Sequence, residues 1–102
     1  MNAHARKAVA VDPQIKASNL RRLRRIEGQI RGLQKMVEEE RYCSDILVQI
    51  SSVQEALRGV SQALLRNHLR HCATAAIQSG KAAASDAICD ELVEVFAKFS
   101  RR

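Results

Sequence analysis

This 102-residue chain predicts an all-α protein, on three observations. One proline and four glycines leave few stops for strands and turns. Apolar residues recur at steps of three and four along two long segments, which is the spacing of one face of a helix. Good helix formers, chiefly Ala, Leu, Arg and Glu, fill the positions between them. The length allows one domain with one core, small enough that oligomerisation is expected to complete it.

Residues 1–12 have no clean period and carry His4, Arg6 and Lys7, so they are expected to form a flexible basic arm. Residues 13–102 form a single helical domain. Asp12-Pro13 makes an N-cap and first-turn pair for helix one, about 13–40, with Ser18-Asn19 as a later alternative start. Its inward stripe is Leu20, Leu23, Ile26, Ile30, Leu33 and Val37. After the acidic run Glu38-Glu39-Glu40, Ser44 or Asp45 can cap helix two, about 43–78, whose stripe is Ile46, Ile50, Val53, Leu57, Val60 and Leu64. Gly59 near its middle costs about 1 kcal/mol of helix propensity and suits a close crossing of two backbones on a twofold axis. Ser79-Gly80 ends helix two. Helix three, about 84–99, turns Ile88, Leu92, Val95, Phe96 and Phe99 inward.

The net charge of +6 is unevenly placed. Residues 1–35 hold nine Lys or Arg against Asp12 and Glu27, whereas the rest of the chain is nearly balanced. Arg21, Arg22, Arg24, Arg25 and Arg31 lie mostly off the apolar stripe and face outward. With only three aromatic residues, such a face suits the phosphates of a polyanion better than stacking on bases. A charge run can equally be a solvated face. Nothing resembles a helix-turn-helix or a zinc finger, so any DNA recognition would depend on backbone contacts and DNA shape. Three widely spaced Cys, no apolar leader and no apolar run of about 18 residues point to a reduced, cytoplasmic protein without membrane contact.

Cys43, His68 and Cys72 form a Cys-x24-His-x3-Cys pattern. At about 100° per residue they fall within roughly 40° of one another around an unbroken helix, on one stripe. Along its axis Cys43 and His68 would stand about 37 Å apart, far beyond the reach of metal bonds. One chain cannot assemble the site, but two antiparallel copies would set Cys43 of one opposite His68 and Cys72 of the other, twice over. The pattern therefore predicts a homodimer with its twofold near residues 56–58. Two thiolates and one imidazole are a soft set of low coordination number that favours Cu(I), and zinc would require a fourth ligand. The alternative is plain packing, with both Cys as small apolar residues and His68 at an interface. No Gly-rich or polar loop offers a substrate pocket to a thiol enzyme, and an enzyme is not expected.

The run Leu20-Arg21-Arg22-Leu23-Arg24-Arg25-Ile26-Glu27-Gly28-Gln29-Ile30-Arg31-Gly32-Leu33, the run from Tyr42-Cys43-Ser44-Asp45 to Gln54, and Asn67-His68-Leu69-Arg70-His71-Cys72 together resemble the copper-sensitive operon repressor family. The resemblance covers about residues 15–99, and the Cys-His-Cys spacing is similar to that of its copper branch. It implies a three-helix protomer, an antiparallel four-helix-bundle dimer and a dimer-of-dimers homotetramer. It further implies a repressor that binds operator double-stranded DNA when metal-free and releases it on binding Cu(I). Cys43, His68 and Cys72 match the metal ligands. Tyr42 and Glu91 match the pair that ties the ligand His to the DNA-binding surface, and Arg22 and Arg24 match basic positions implicated in DNA contact. Nickel/cobalt, formaldehyde and persulfide sensors belong to the same family. The nickel register holds Val11 where a His is needed, no N-terminal Pro is present for formaldehyde, and His68 argues against a persulfide sensor. Cys89 matches no ligand and is expected in the core, and His71 is expected at the surface.

Overall fold

The computed structural model describes residues 7, 8 and 10–100. Among them are three helical runs and no strand. Helix α1 spans Pro13–Glu38 and starts at Asp12-Pro13 rather than at Ser18-Asn19: the Gln14 N–H donates to the Asp12 carboxylate at 2.8 Å, and Pro13 occupies the first turn, where no N–H is needed. At its other end the Glu40 N–H donates to the Val37 carbonyl and the Arg41 N–H to the Met36 carbonyl, the paired bonds of a Schellman turn. That turn needs a left-handed residue, and Glu40 supplies it at φ 54° where glycine would be the relaxed choice. The chain reverses there and delivers Tyr42 and Cys43 to the start of α2, Cys43–Asn67. The Tyr42 carbonyl accepts from the N–H groups of Asp45 and Ile46, so Ser44 and Asp45 lie inside the first turn instead of capping it.

The middle run does not keep one helical period. After Asn67 the backbone is π-helical over His68–Ala73, then α-helical again in α3, Thr74–Gln78. The residues expected to be helical from 43 to 78 are helical, but a wider i→i+5 turn sits between the two α segments. The common stripe expected for Cys43, His68 and Cys72 assumed 3.6 residues per turn throughout, and the π turn departs from that period between His68 and Cys72. Thr74 Oγ1 donates to the Leu69 carbonyl five residues back at 2.9 Å, giving an acceptor of the widened turn a partner. Gly80, at φ 72°, stops α3 as expected, with Ser79 Oγ donating to the Ala76 carbonyl and accepting from the Lys81 N–H. Helix α4 spans Ala82–Ser100, two residues longer at its start than the expected 84.

The chain divides into two compact units, and the division falls between Arg66 and Asn67. In the unit Val11–Arg66, Ile26 of α1 packs with Val53 and Val60 of α2, flanked by Leu33 and Ala56. The stripes are only partly buried. Leu20, Leu23, Ile30 and Val37 of α1 and Ile50, Leu57 and Leu64 of α2 remain exposed. In the second unit, from Asn67 onward together with the described residues Lys7, Ala8 and Ala10, the buried residues are Asn67, Cys72 and Ala73. Asn67 Nδ2 donates to the Ala10 carbonyl at 3.0 Å. On α4, Ile88, Leu92 and Val95 are half-buried as expected, but Phe96 and Phe99, expected inward, are 73% and 66% exposed. Among the described residues no large side chain is completely enclosed, because two or three helices of this size cannot surround one another's apolar faces. Among the described residues no helix is long and apolar enough to cross a membrane. Most of the basic arm anticipated over 1–12, His4 included, lies outside the described residues.

Candidate functional site

The π-helical segment carries two of the three anticipated ligands. His68 opens it and Cys72 is its last residue but one, and Cys72 is buried with a free thiol. Glu91 comes from the middle of α4, with its Oε1 3.3 Å from His68 Nε2 and both side chains about 30% exposed. The approach lies off the line of a hydrogen bond, so it is an electrostatic contact more than a directed one. A carboxylate facing Nε2 favours the proton on that nitrogen and leaves Nδ1 as the lone-pair donor of the ring. His68, Cys72 and Glu91, with Ile88, Ala75 and Ala76, line an open cleft of about 710 Å³. Lys7 and Ala8, in the stretch expected to be a flexible arm, line it too. Sequence reasoning missed them because no periodic or chemical signal marks them.

The other expected residues belong to the Val11–Arg66 unit. Cys43 is the first residue of α2 and exposed, with a free thiol, and Tyr42 precedes it in the turn, 75% exposed. Among the described residues no three His, Cys, Asp or Glu side chains gather into a group that could hold a metal ion. Two further expectations need correction. Cys89, expected in the core, is exposed, because it stands one residue past Ile88 and so about 100° off the inward stripe of α4. His71, expected at the surface, is half-buried, since the π turn alters which residues of the segment turn inward.

Arg21, Arg22, Arg24, Arg25 and Arg31 are all exposed along α1. The ion pairs found among the described residues are Arg41–Glu39, Arg58–Glu55 and His68–Glu91, so no carboxylate there neutralises the α1 arginines. Arg22 does not simply point to solvent: its guanidinium lies against α2 at Gly59.

Residues 15–98 match the family model described as metal-sensitive transcriptional repressor. The chain is 52% identical over 80 residues to the copper-sensing transcriptional repressor CsoR of Bacillus subtilis (strain 168), covering 78% of this chain and 76% of that one. It is 52% identical over 67 residues to the copper-sensing transcriptional repressor RicR of Mycobacterium tuberculosis (strain ATCC 25618 / H37Rv), covering 66% of this chain and 70% of that one. The fold is similar to the crystal structure of the copper-sensing repressor CsoR with Cu(I) from Geobacillus thermodenitrificans NG80-2, at a TM-score of 0.82 and 44% identity over 91% of this chain and 94% of that one. A helical chain with a basic first helix and a thiol–imidazole pair in the π-helical segment after α2, matched over residues 15–98, belongs to the metal-sensitive transcriptional repressor family.

Proposed function

We propose that this chain is a Cu(I)-responsive repressor that binds operator double-stranded DNA when metal-free and releases it when Cu(I) is bound. The observation that carries the reading is the buried Cys72 thiol one helical turn from His68, whose Nε2 faces Glu91 and whose Nδ1 is left to serve as a ligand. Cys43 of one protomer would complete the set with His68 and Cys72 of its partner. Two thiolates and an imidazole suit Cu(I), which supplies a short, covalent-strength link between side chains of two protomers. An antiparallel homodimer is required for this set, and exposed apolar side chains such as Leu57, Leu64, Phe96 and Phe99 supply area for it and for a homotetramer. Residues 13–102 act as one repressor domain in the cytoplasm.

In this reading the arginines of α1 contact DNA phosphates. His68 would hold Cu(I) on one side and faces Glu91 on the other, which would couple the imidazole to α4. Tyr42, next to Cys43 in the α1–α2 turn, would carry the same shift towards the basic helix. By linkage, DNA weakens Cu(I) binding by the factor by which Cu(I) weakens DNA binding. The test is an anaerobic fluorescence-anisotropy titration on the protein's own upstream DNA. Release at about one Cu(I) per protomer is expected, with Ni(II), Zn(II), formaldehyde and a persulfide donor inactive. Release by one of those alone moves the sensor to another effector, and absence of DNA binding overturns the repressor reading.

A further inference from the structure

Gly59 has no backbone reason to be glycine. It lies mid-way along α2, far from either end, and its φ is not in the left-handed region, which among the described glycines is occupied by Gly80 alone. A glycine there weakens the helix relative to alanine. Its surroundings differ from those of the other helical glycines. A Cβ added at Gly32 would meet nothing within 4 Å, and one at Gly28 only an ordinary contact with Arg31 at 3.7 Å. At Gly59 it would stand 3.1 Å from Arg22 Nη1 and 3.9 Å from Arg22 Cζ. The space that a side chain would fill is taken by the guanidinium, laid on the α2 backbone.

The packing of the two helices explains how Arg22 gets there. Ile26 of α1 is buried against Val53 and Val60 of α2, and Gly59 precedes Val60. Arg22 is one turn before Ile26 and therefore on nearly the same side of α1. Its stem crosses towards α2 while the residue as a whole stays exposed. A planar guanidinium seated on a backbone loses little of its donor capacity, because its five N–H groups point along the edges of the plane. We infer that Gly59 is a positioning residue: it seats Arg22 so that the guanidinium is held in place before a DNA phosphate arrives. This rests on the operator-binding reading above. Pre-ordering a long side chain lowers the entropy lost on binding and so raises affinity without a new contact.

The experiment is a double-mutant cycle with Gly59→Ala and Arg22→Ala in the full chain, reading DNA affinity, salt dependence, Cu(I) affinity and sedimentation. Gly59→Ala is expected to fold and assemble normally, since the displaced atoms are the tip of a flexible side chain. It should keep Cu(I) affinity, lower DNA affinity about 3- to 10-fold and reduce the salt slope, by at most about 1 per protomer. In the Arg22→Ala background the same change should leave DNA affinity unaltered. An equal loss in both backgrounds, or an altered oligomeric state, would place the role of Gly59 at a helix crossing instead and overturn the inference. A second readout does not need DNA. The Arg22 Nε–Hε group should be ordered by NMR relaxation in the wild type and mobile in Gly59→Ala. Equal mobility in both sinks the seat itself, whereas an ordered group in a protein that fails to bind DNA refutes the operator reading alone.

Discussion

The Val11–Arg66 unit and the unit from Asn67 onward are both helical, yet they place their functional groups by different means. In the first, two regular helices bury Ile26 on Val53 and Val60 and leave a row of exposed arginines along α1, an arrangement that follows the 3.6-residue period. In the second, the chemistry sits where the period fails: His68 and Cys72 occupy a six-residue π-helical segment, and Glu91 approaches from α4. A regular helix is suited to a long surface that meets a repeating polyanion. A π turn costs backbone stability and is kept where side chains must be aimed, as at ligand sites.

The largest expected effect lies in the residue that the first unit would lend to the second. Cys43→Ala should leave metal-free DNA affinity within about twofold of wild type and remove the Cu(I)-dependent fall, typically 5- to 150-fold for such couplings, altogether. Anisotropy with and without one Cu(I) per protomer measures both. Cys43 opens α2 three residues beyond the strained Glu40, so a loss of DNA binding in the metal-free variant would mean that the α1–α2 turn is itself part of the DNA surface. The proposed separation between a periodic DNA-binding unit and an irregular sensing unit would then fail.

The same contrast decides what could be read from the residues alone. Helix α1 was legible at both ends, because Asp12-Pro13 and an uninterrupted 3/4 stripe act locally. Cys43, His68 and Cys72 stood out by residue type and spacing, and Glu91 was found through family likeness and does face His68. The π turn was not legible: the features that accompany it, the Thr74 hydroxyl bonded to the Leu69 carbonyl and the burial of Cys72 and Ala73, leave no mark in periodicity. The burial of Phe96 and Phe99 was wrongly expected, because an apolar stripe predicts that a face is covered, not that its own chain covers it. Cys89 followed the same error, being assigned by residue type to a core that one chain of this size does not enclose.

An intermediate effect is expected from Glu91→Gln, which keeps shape and removes the charge facing His68 Nε2. Residues that orient a metal-binding His typically contribute 10- to 100-fold in affinity, and the lower figure applies here because the contact is half-exposed and off-line. Competition with a Cu(I) chelator should therefore show about a tenfold weaker site, with metal-free DNA affinity intact. An unchanged Cu(I) affinity together with a lost DNA response would make Glu91 a transmitter only. No change in either would detach it from the site.

Thr74→Val carries the smallest effect and tests the comparison most directly. Valine fills the same volume but cannot donate to the Leu69 carbonyl, so an acceptor of the widened turn must rely on water, which is within reach because Thr74 is exposed. The expected loss of stability is about 0.5–1 kcal/mol, the low end for a hydrogen bond, measured by urea unfolding at fixed protein concentration. If the hydroxyl helps hold the π turn, the variant should also bind Cu(I) a few-fold more weakly, since relaxation towards an α turn would rotate His68 and Cys72 relative to Glu91. A stability loss with unaltered Cu(I) affinity would show that the turn is held by the buried Cys72 and Ala73 without help from Thr74. The irregular segment would then owe its shape to burial, as the regular unit does, and only its period would set the two apart.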